Sequence, residues 1–337
     1  MGHKAEERTQ VRLTSKTTLS GLGLLFACAA VGCAVEPLDE SETGDESAAR
    51  SAERAIENGE AYPSTMNGGT VYVRTWHEIP REGVVQNKCT GQVISRDSVL
   101  TAAHCFYDVG YFNDGWVAKK PVRVCLDHQN PNTYWEPLTA CAETVDLYIL
   151  KDYYDAKQAG GAHIGLDVAI LQRRSAFTNV EPSDVAALAT NNGHHPAYLY
   201  IYGHGYHTDT TNISHLRRGF FDDLAYNRTS SSSYYRTILA QPGPNDAHTC
   251  AGDSGGPWKT PGFGNATATS GVQFGVHSWG SGPGNCTEDW SRGAMVAYHD
   301  PWIAARVRDG LGDCQTTSHQ VGTSTYAPMT VSSMICW

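Results

Sequence analysis

The chain has 337 residues, 40% of them hydrophobic and 18% charged, which allows a sizeable core and suits an ordinary globular protein. Its formal net charge of −10 argues against a nucleic-acid groove, which needs a basic stripe to displace counterions from phosphates. No CxxC pair is present among its ten cysteines, so a thiolate zinc site is not expected.

Lys4, Arg8, Arg12 and Lys16 make a basic start, and Leu19 to Cys33 is a nearly uncharged apolar run. That run is too short to span a bilayer comfortably, so residues 1–33 read as an export signal. Ala30-Val31-Gly32-Cys33 resembles the lipobox of bacterial lipoproteins. The resemblance implies a lipid at Cys33 and a chain anchored to a bacterial cell envelope. Cleavage near Ala34, giving a freely secreted protein, is the alternative. Residues 34–55 are rich in Glu, Asp, Ser and Ala, and cannot bury enough surface to fold. They read as a linker or propeptide.

Strand-like segments follow. Thr70-Val71-Tyr72-Val73, the run Gly91 to Thr101, Ala197 to Tyr202 and Gly271 to Trp279 are β-branched or alternating and bounded by turn formers. Helical periodicity is scarce, so residues 56–312 are expected to be all-β. One short helix is marked near the end, with Asp300 as N-cap, Pro301 at the first position, Arg306 and Arg308 in the last turn and Gly310 closing it. Residues 313–337 form a polar tail. Eight cysteines lie beyond the signal, namely Cys89, Cys105, Cys125, Cys141, Cys250, Cys286, Cys314 and Cys336. An even set after an export signal predicts disulfides, though spacing alone leaves their pairing open.

The chemistry gathers in three places. Cys250-Ala251-Gly252-Asp253-Ser254-Gly255-Gly256-Pro257 sets a serine in a glycine-rich turn, where backbone N–H groups can converge on one point. A serine hydroxyl needs a base beside it, and Val99-Leu100-Thr101-Ala102-Ala103-His104-Cys105 offers a histidine at the end of an apolar strand. With both motifs in this order, the chain resembles the trypsin and chymotrypsin family of serine peptidases. The family places an aspartate between them, ahead of an apolar strand. Gly165-Leu166-Asp167-Val168-Ala169-Ile170-Leu171 fits, whereas Asp146 and Asp152 lead into no comparable run.

The resemblance implies two packed six-stranded antiparallel β-barrels with the site in the cleft between them. It implies a triad of His104, Asp167 and Ser254, and an oxyanion hole from the N–H groups of Gly252 and Ser254. His277-Ser278-Trp279-Gly280 resembles the segment beside bound substrate, with Ser278 and Gly280 touching its backbone. Ile56-Glu57-Asn58-Gly59 resembles a mature amino terminus, so Ile56 would pair with Asp253 after activation. Cys89–Cys105 and Cys250–Cys286 match family bridges, leaving Cys125–Cys141 and Cys314–Cys336. His248 stands at the pocket floor with Thr249 beside it. Thr249 and His277 resemble the pocket of glutamyl endopeptidases, and Gly280 and Gly293 leave room for a side chain. A preference for Glu or Asp before the scissile bond follows, with medium apolar residues as the alternative. An esterase with the same triad and a noncatalytic protease-like binding module are the rival functions. His204 and His207 lack a recognisable acidic partner, so no metal and no cofactor are expected. Protein or peptide substrates are the expected partners; the oligomeric state is open.

Overall fold

The computed structural model describes residues 36–37, 56, 59–61, 69–79, 83–106, 116–119, 123–128, 136–137, 146–161, 163–178, 180–191, 193–205, 216–230, 234–242, 247–260, 271–280, 290–321 and 328–337. Residues 1–33, the expected export signal with Cys33, lie outside them. So do all of the acidic linker except Glu36–Pro37, which pairs with Gln86 and Val85.

Two sheets form barrel-like halves, as expected of an all-β chain. The first runs, edge to edge, through Trp116–Lys119, Asp146–Leu150, Ala169–Gln172, Ser98–Thr101, Gly83–Val93, Thr70–Ile79, Arg123–His128 and Glu136–Pro137. The strand Ala169–Gln172 is buried throughout and pairs on both sides, with Ser98–Thr101 and with Asp146–Leu150. Burial on both faces accounts for its apolar run Ala169-Ile170-Leu171. The run Gly91 to Thr101 proves to be the end of one strand and the whole of the next, joined by a bend at 94–97. In the second half Val272–Gly280 lies between Pro257–Lys259 and Ser291–Met295, antiparallel to both, and has a β-bulge between His277 and Trp279. Leu199–Gly203 pairs with Pro257–Lys259 on the far side.

The closing helix spans Asp300–Asp309, one position off the expectation: His299 is the N-cap and Asp300 lies inside the first turn. There its charge complements the amino-terminal end of the helix dipole. Trp302, Ile303, Ala304 and Val307 bury one face against the first core. A second helix, Lys151–Gln158, was not foreseen. It buries only Tyr153 and so has no apolar stripe to mark it in the sequence.

The polar segment after residue 312 is no loose tail. Cys314–Val321 and Met329–Cys336 form a hairpin, and Met334 and Ser333 pair with Leu188 and Ala189 to extend the second sheet. Cys314 and Cys336 face each other at its base and are disulfide-bonded. Cys89 and Cys105 are bonded as well. Cys250 is in a disulfide, but Cys286 lies outside the described residues, as does Cys141, the expected partner of Cys125.

Candidate functional site

His104 sits in the single turn Ala103–Cys105 that ends the strand Ser98–Thr101, and the Cys89–Cys105 bridge pins that turn to the neighbouring strand. Its backbone N–H donates to Asp167 Oδ1 at 2.8 Å, and its Nδ1 lies 2.7 Å from Asp167 Oδ2. Nδ1 therefore carries a proton and donates it to the carboxylate, and Nε2 is the ring nitrogen on the side away from Asp167. The same Oδ2 accepts the hydroxyl of Ser278, which comes from the second half. Asp167 is only 1% exposed. Burial pushes its pKa up, but the charge of His104 and hydrogen bonds from His104 and Ser278 outweigh it, and the carboxyl stays below the ordinary range.

The loop carrying Asp167 is held from behind. His299 Nε2 lies 2.8 Å from the carbonyl oxygen of Gly165, so that nitrogen must be the donor. His299 is buried, which pushes its pKa down to about 4 and keeps the ring neutral. A Cβ on Gly165 would come within 1.9 Å of Tyr235 O, so this loop lies directly on the second half.

The serine turn follows its own logic. Gly252 and Gly255 have φ of 93° and 83°, the left-handed region that favours glycine. Asp253, Gly255 and Gly256 donate their N–H groups to Cys250 O, His277 O and Asp253 O. Gly252 and Ser254 donate theirs to no acceptor among the described residues. A Cβ on Gly255 would stand 2.1 Å from Thr101 Oγ1 and 2.9 Å from the Ala102 nitrogen, so the turn lies against the segment leading to His104. Thr90 joins them, donating its N–H to Ser254 O at 2.7 Å and its hydroxyl to Gly252 O at 2.9 Å. Ser254 is half-buried.

Asp253 is fully buried and accepts from Gly205 N and Cys250 N, each at 2.8 Å, and from the backbone of Ile56. Burial pushes its pKa up to about 7 against those hydrogen bonds. Ile56 is itself fully buried, in the second core.

Of the expected pocket residues, His277, Gly280 and Gly293 lie on two paired strands, and Thr249 meets one of those strands through Ser291. Thr249 is buried, and its Oγ1 lies 2.6 Å from Ser291 Oγ. His277 stacks on Trp258 with centroids 6.1 Å apart, and its buried Nδ1 has no hydrogen-bond partner among the described residues. Burial and the nearby charge of His104 push its pKa down to about 3, so the ring is neutral near pH 7. Gly293 pairs with His277, and a Cβ there would come within 3.0 Å of the Trp258 ring. Gly280 pairs with Ser291 and is half-buried, as is His248. Ser291 and Trp258 are the residues that sequence reasoning missed, because only strand register sets them beside Thr249 and His277. His204 is buried beside Tyr72, and His207 lies outside the described residues.

A histidine–aspartate pair on one barrel and a glycine-flanked serine turn on the other define a serine-peptidase-like protein of the two-barrel class. Residues 69–303 match the family model for Trypsin, and the chain belongs to that family. Trypsin alpha of Drosophila erecta is 25% identical over 203 residues, which is 58% of this chain and 69% of the relative. Among solved structures, a scabies mite inactivated protease paralogue superposes with a TM-score of 0.52 at 19% identity, covering 74% of this chain and 99% of its own. An HL collagenase gives a TM-score of 0.50 at 18% identity, with 75% and 99% covered. At such identities these structures show the shared fold.

Replacing His299 with Ala should free the Gly165 carbonyl and loosen the loop that holds Asp167. The expected loss is about 1–3 kcal/mol of stability, the usual cost of stranding one buried acceptor. Faster hydrogen exchange at Asp167 and Val168 should accompany it, and unchanged exchange there would contradict the clamp.

Proposed function

We propose that this protein is an exported serine endopeptidase, working through an acyl-enzyme on protein or peptide substrates. The observation that carries the reading is the buried Asp167 carboxylate, bonded twice to His104 while Ser278 occupies Oδ2 as well. It orients the imidazole so that Nε2 can take the proton of Ser254 as Oγ attacks the peptide carbonyl. The N–H groups of Gly252 and Ser254 would meet the oxyanion. His104 then returns the proton to the leaving amine, and water repeats the sequence on the acyl-enzyme. The bulge after His277 takes Ser278 out of the strand ladder, which suits pairing of that backbone, and of Gly280, with an extended substrate. An esterase would use the same steps. A noncatalytic binding module is the rival from another class, and one fold neighbour is described as inactivated.

Activation is read from Asp253. A buried carboxylate with only neutral donors is costly, and Ile56 already lies against it. Cutting the chain before Ile56 would put an ammonium beside the carboxylate and stabilise the turn that presents Gly252. The acidic segment 34–55 would then be the propeptide, with anchoring through Cys33 or free secretion as its two settings.

For specificity, the neutral His277 and the Thr249–Ser291 hydroxyl pair can supply hydrogen-bond donors to a glutamate or aspartate side chain. The alternative, medium apolar residues, is favoured by Trp258, whose ring is fully buried against His277 and the Gly293 position.

A fluorophosphonate probe should label the processed chain at Ser254 and leave Ser254→Ala unmarked, and His104→Ala should lower kcat by about 10⁴-fold or more. An unlabelled, correctly processed protein would instead be a binding module. In the uncut chain the Asp253 pKa lies above its ordinary 3.8, at about 7. Its contribution to stability is therefore complete below the ordinary value and lost as pH rises through about 7. Thermal unfolding of the Ser254→Ala chain between about pH 5 and 8 should fall more steeply uncut than after cleavage before Ile56, because the ammonium keeps the carboxylate ionised. Equal slopes would remove the activation pair. With matched peptides near neutral pH, cleavage after Glu should exceed cleavage after Leu, and His277→Ala should depress the first at least about tenfold more than the second. The reverse order of substrates would establish the apolar pocket.

A further inference from the structure

Behind the Asp167 loop lies a cavity of about 450 Å³, lined from both halves of the domain and belonging to none of the machinery above. That volume is in the range of small-molecule sites. Its apolar walls are Leu150, Leu166, Tyr298 and Trp302. Three charged side chains also line it: Arg236 from the second half, Asp152 from the first turn of the helix Lys151–Gln158, and Arg306 from the closing helix.

Three observations bear on Arg236. It has a φ of 64°, the only non-glycine residue in the left-handed region among the described residues. Backbone strain of this kind persists where surrounding structure enforces it, and it concentrates at functional sites. Its guanidinium lies 4.9 Å from the ring centre of Tyr235 and 5.4 Å from that of Tyr298, so aromatic faces hold it in place. Its Nε is buried with no acceptor, and the guanidinium forms no ion pair among the described residues. A buried guanidinium donor left without an acceptor calls for an explanation, and a ligand oxygen supplies one. Asp152 is exposed and likewise has no cationic partner among the described residues; it is not paired with Arg236. Of the other polar groups there, Arg306 already pairs with Asp309 at 2.9 Å, and the neutral His299 donates to Gly165 O.

We propose that this cavity is a binding site for a small apolar zwitterion, a free amino acid or dipeptide with an aliphatic or aromatic side chain. Arg236 takes the carboxylate through its planar fork, Asp152 faces the ammonium, and the walls of Leu150, Leu166, Tyr298 and Trp302 bury the side chain. The site would sense the class of molecule that peptide hydrolysis releases, although binding itself does not require the chain to be a peptidase. Its occupant would press on Leu166, next to Asp167, and on His299, which holds the same loop.

The test is calorimetric titration of the full chain carrying Ser254→Ala, so that peptides stay intact and binding is read apart from activity. Leucyl-leucine is the probe, beside its carboxy-terminal amide and its N-acetyl form. Saturable binding of the free dipeptide, weakened at least about tenfold by amidation and by Arg236→Leu, is the expected result. Acetylation should weaken it less, and Asp152→Asn should erase the difference between the free and acetylated forms. Because the amide is tested on a chain with Arg236 intact, the carboxylate requirement is judged even if Arg236→Leu fails to fold. No heat with the free dipeptide at about 10 mM, weaker than the weakest affinities useful for sensing, would overturn the proposal. So would equal binding of free dipeptide and amide, or binding indifferent to Arg236→Leu in a folded variant, which would place the ligand elsewhere.

Discussion

A carboxylate taken out of water must find donors, and Asp167 finds three, two from His104 and one from Ser278. Those donors come from opposite halves of the molecule, so the same group that orients the histidine also stitches the barrels together. The order of elements around it follows. The strand after Asp167 is buried on both faces and sets the height of the loop, the Cys89–Cys105 bridge sets the height of His104, and the bulge after His277 turns Ser278 toward Oδ2. Behind the loop, a neutral His299 completes the frame.

A second buried carboxylate organises the serine turn in the same way. Asp253 gathers backbone donors from Gly205, Cys250 and Ile56 and so fixes three separate stretches of chain around Ser254. The approach is close enough to dictate sequence: a Cβ on Gly203 would stand 1.8 Å from Asp253 Oδ1. Burial holds Asp253 near neutrality in its proton affinity, whereas Asp167 is kept acidic. The difference lies in charge, since His104 can offset one carboxylate and nothing yet offsets the other.

The seam between the halves is polar elsewhere too. Lys259, buried beneath Tyr202, donates to Gln92 Oε1 at 2.9 Å, and the amide of Gln92 gives its protons to Val93 O and Asp184 O. Burial pushes the Lys259 pKa down to about 7, so this contact between sheets is near its own titration point at neutral pH. The desolvation such buried groups suffer offsets much of their attraction, so the contact adds little to stability.

The sequence by itself determined the class of fold and the family, and it marked His104, Asp167 and Ser254 as candidates, because glycine-rich turns and apolar strand ends are local patterns that can be read along the chain. It also marked the closing helix, to within one residue of its cap. The helix Lys151–Gln158 stayed hidden because its contacts are few and its face is charged. The hairpin after residue 312 stayed hidden because its polar, Thr- and Ser-rich strands gain their burial only by joining Leu188 and Ala189. Only the tertiary structure decided that Ser291 meets Thr249, that Trp258 backs His277, that Ile56 lies on Asp253 and that Arg236 and Asp152 share a cavity. Each of these depends on strand register or on the packing of one sheet against another, and residues 42, 19, 197 and 84 positions apart leave no local signal of such a meeting.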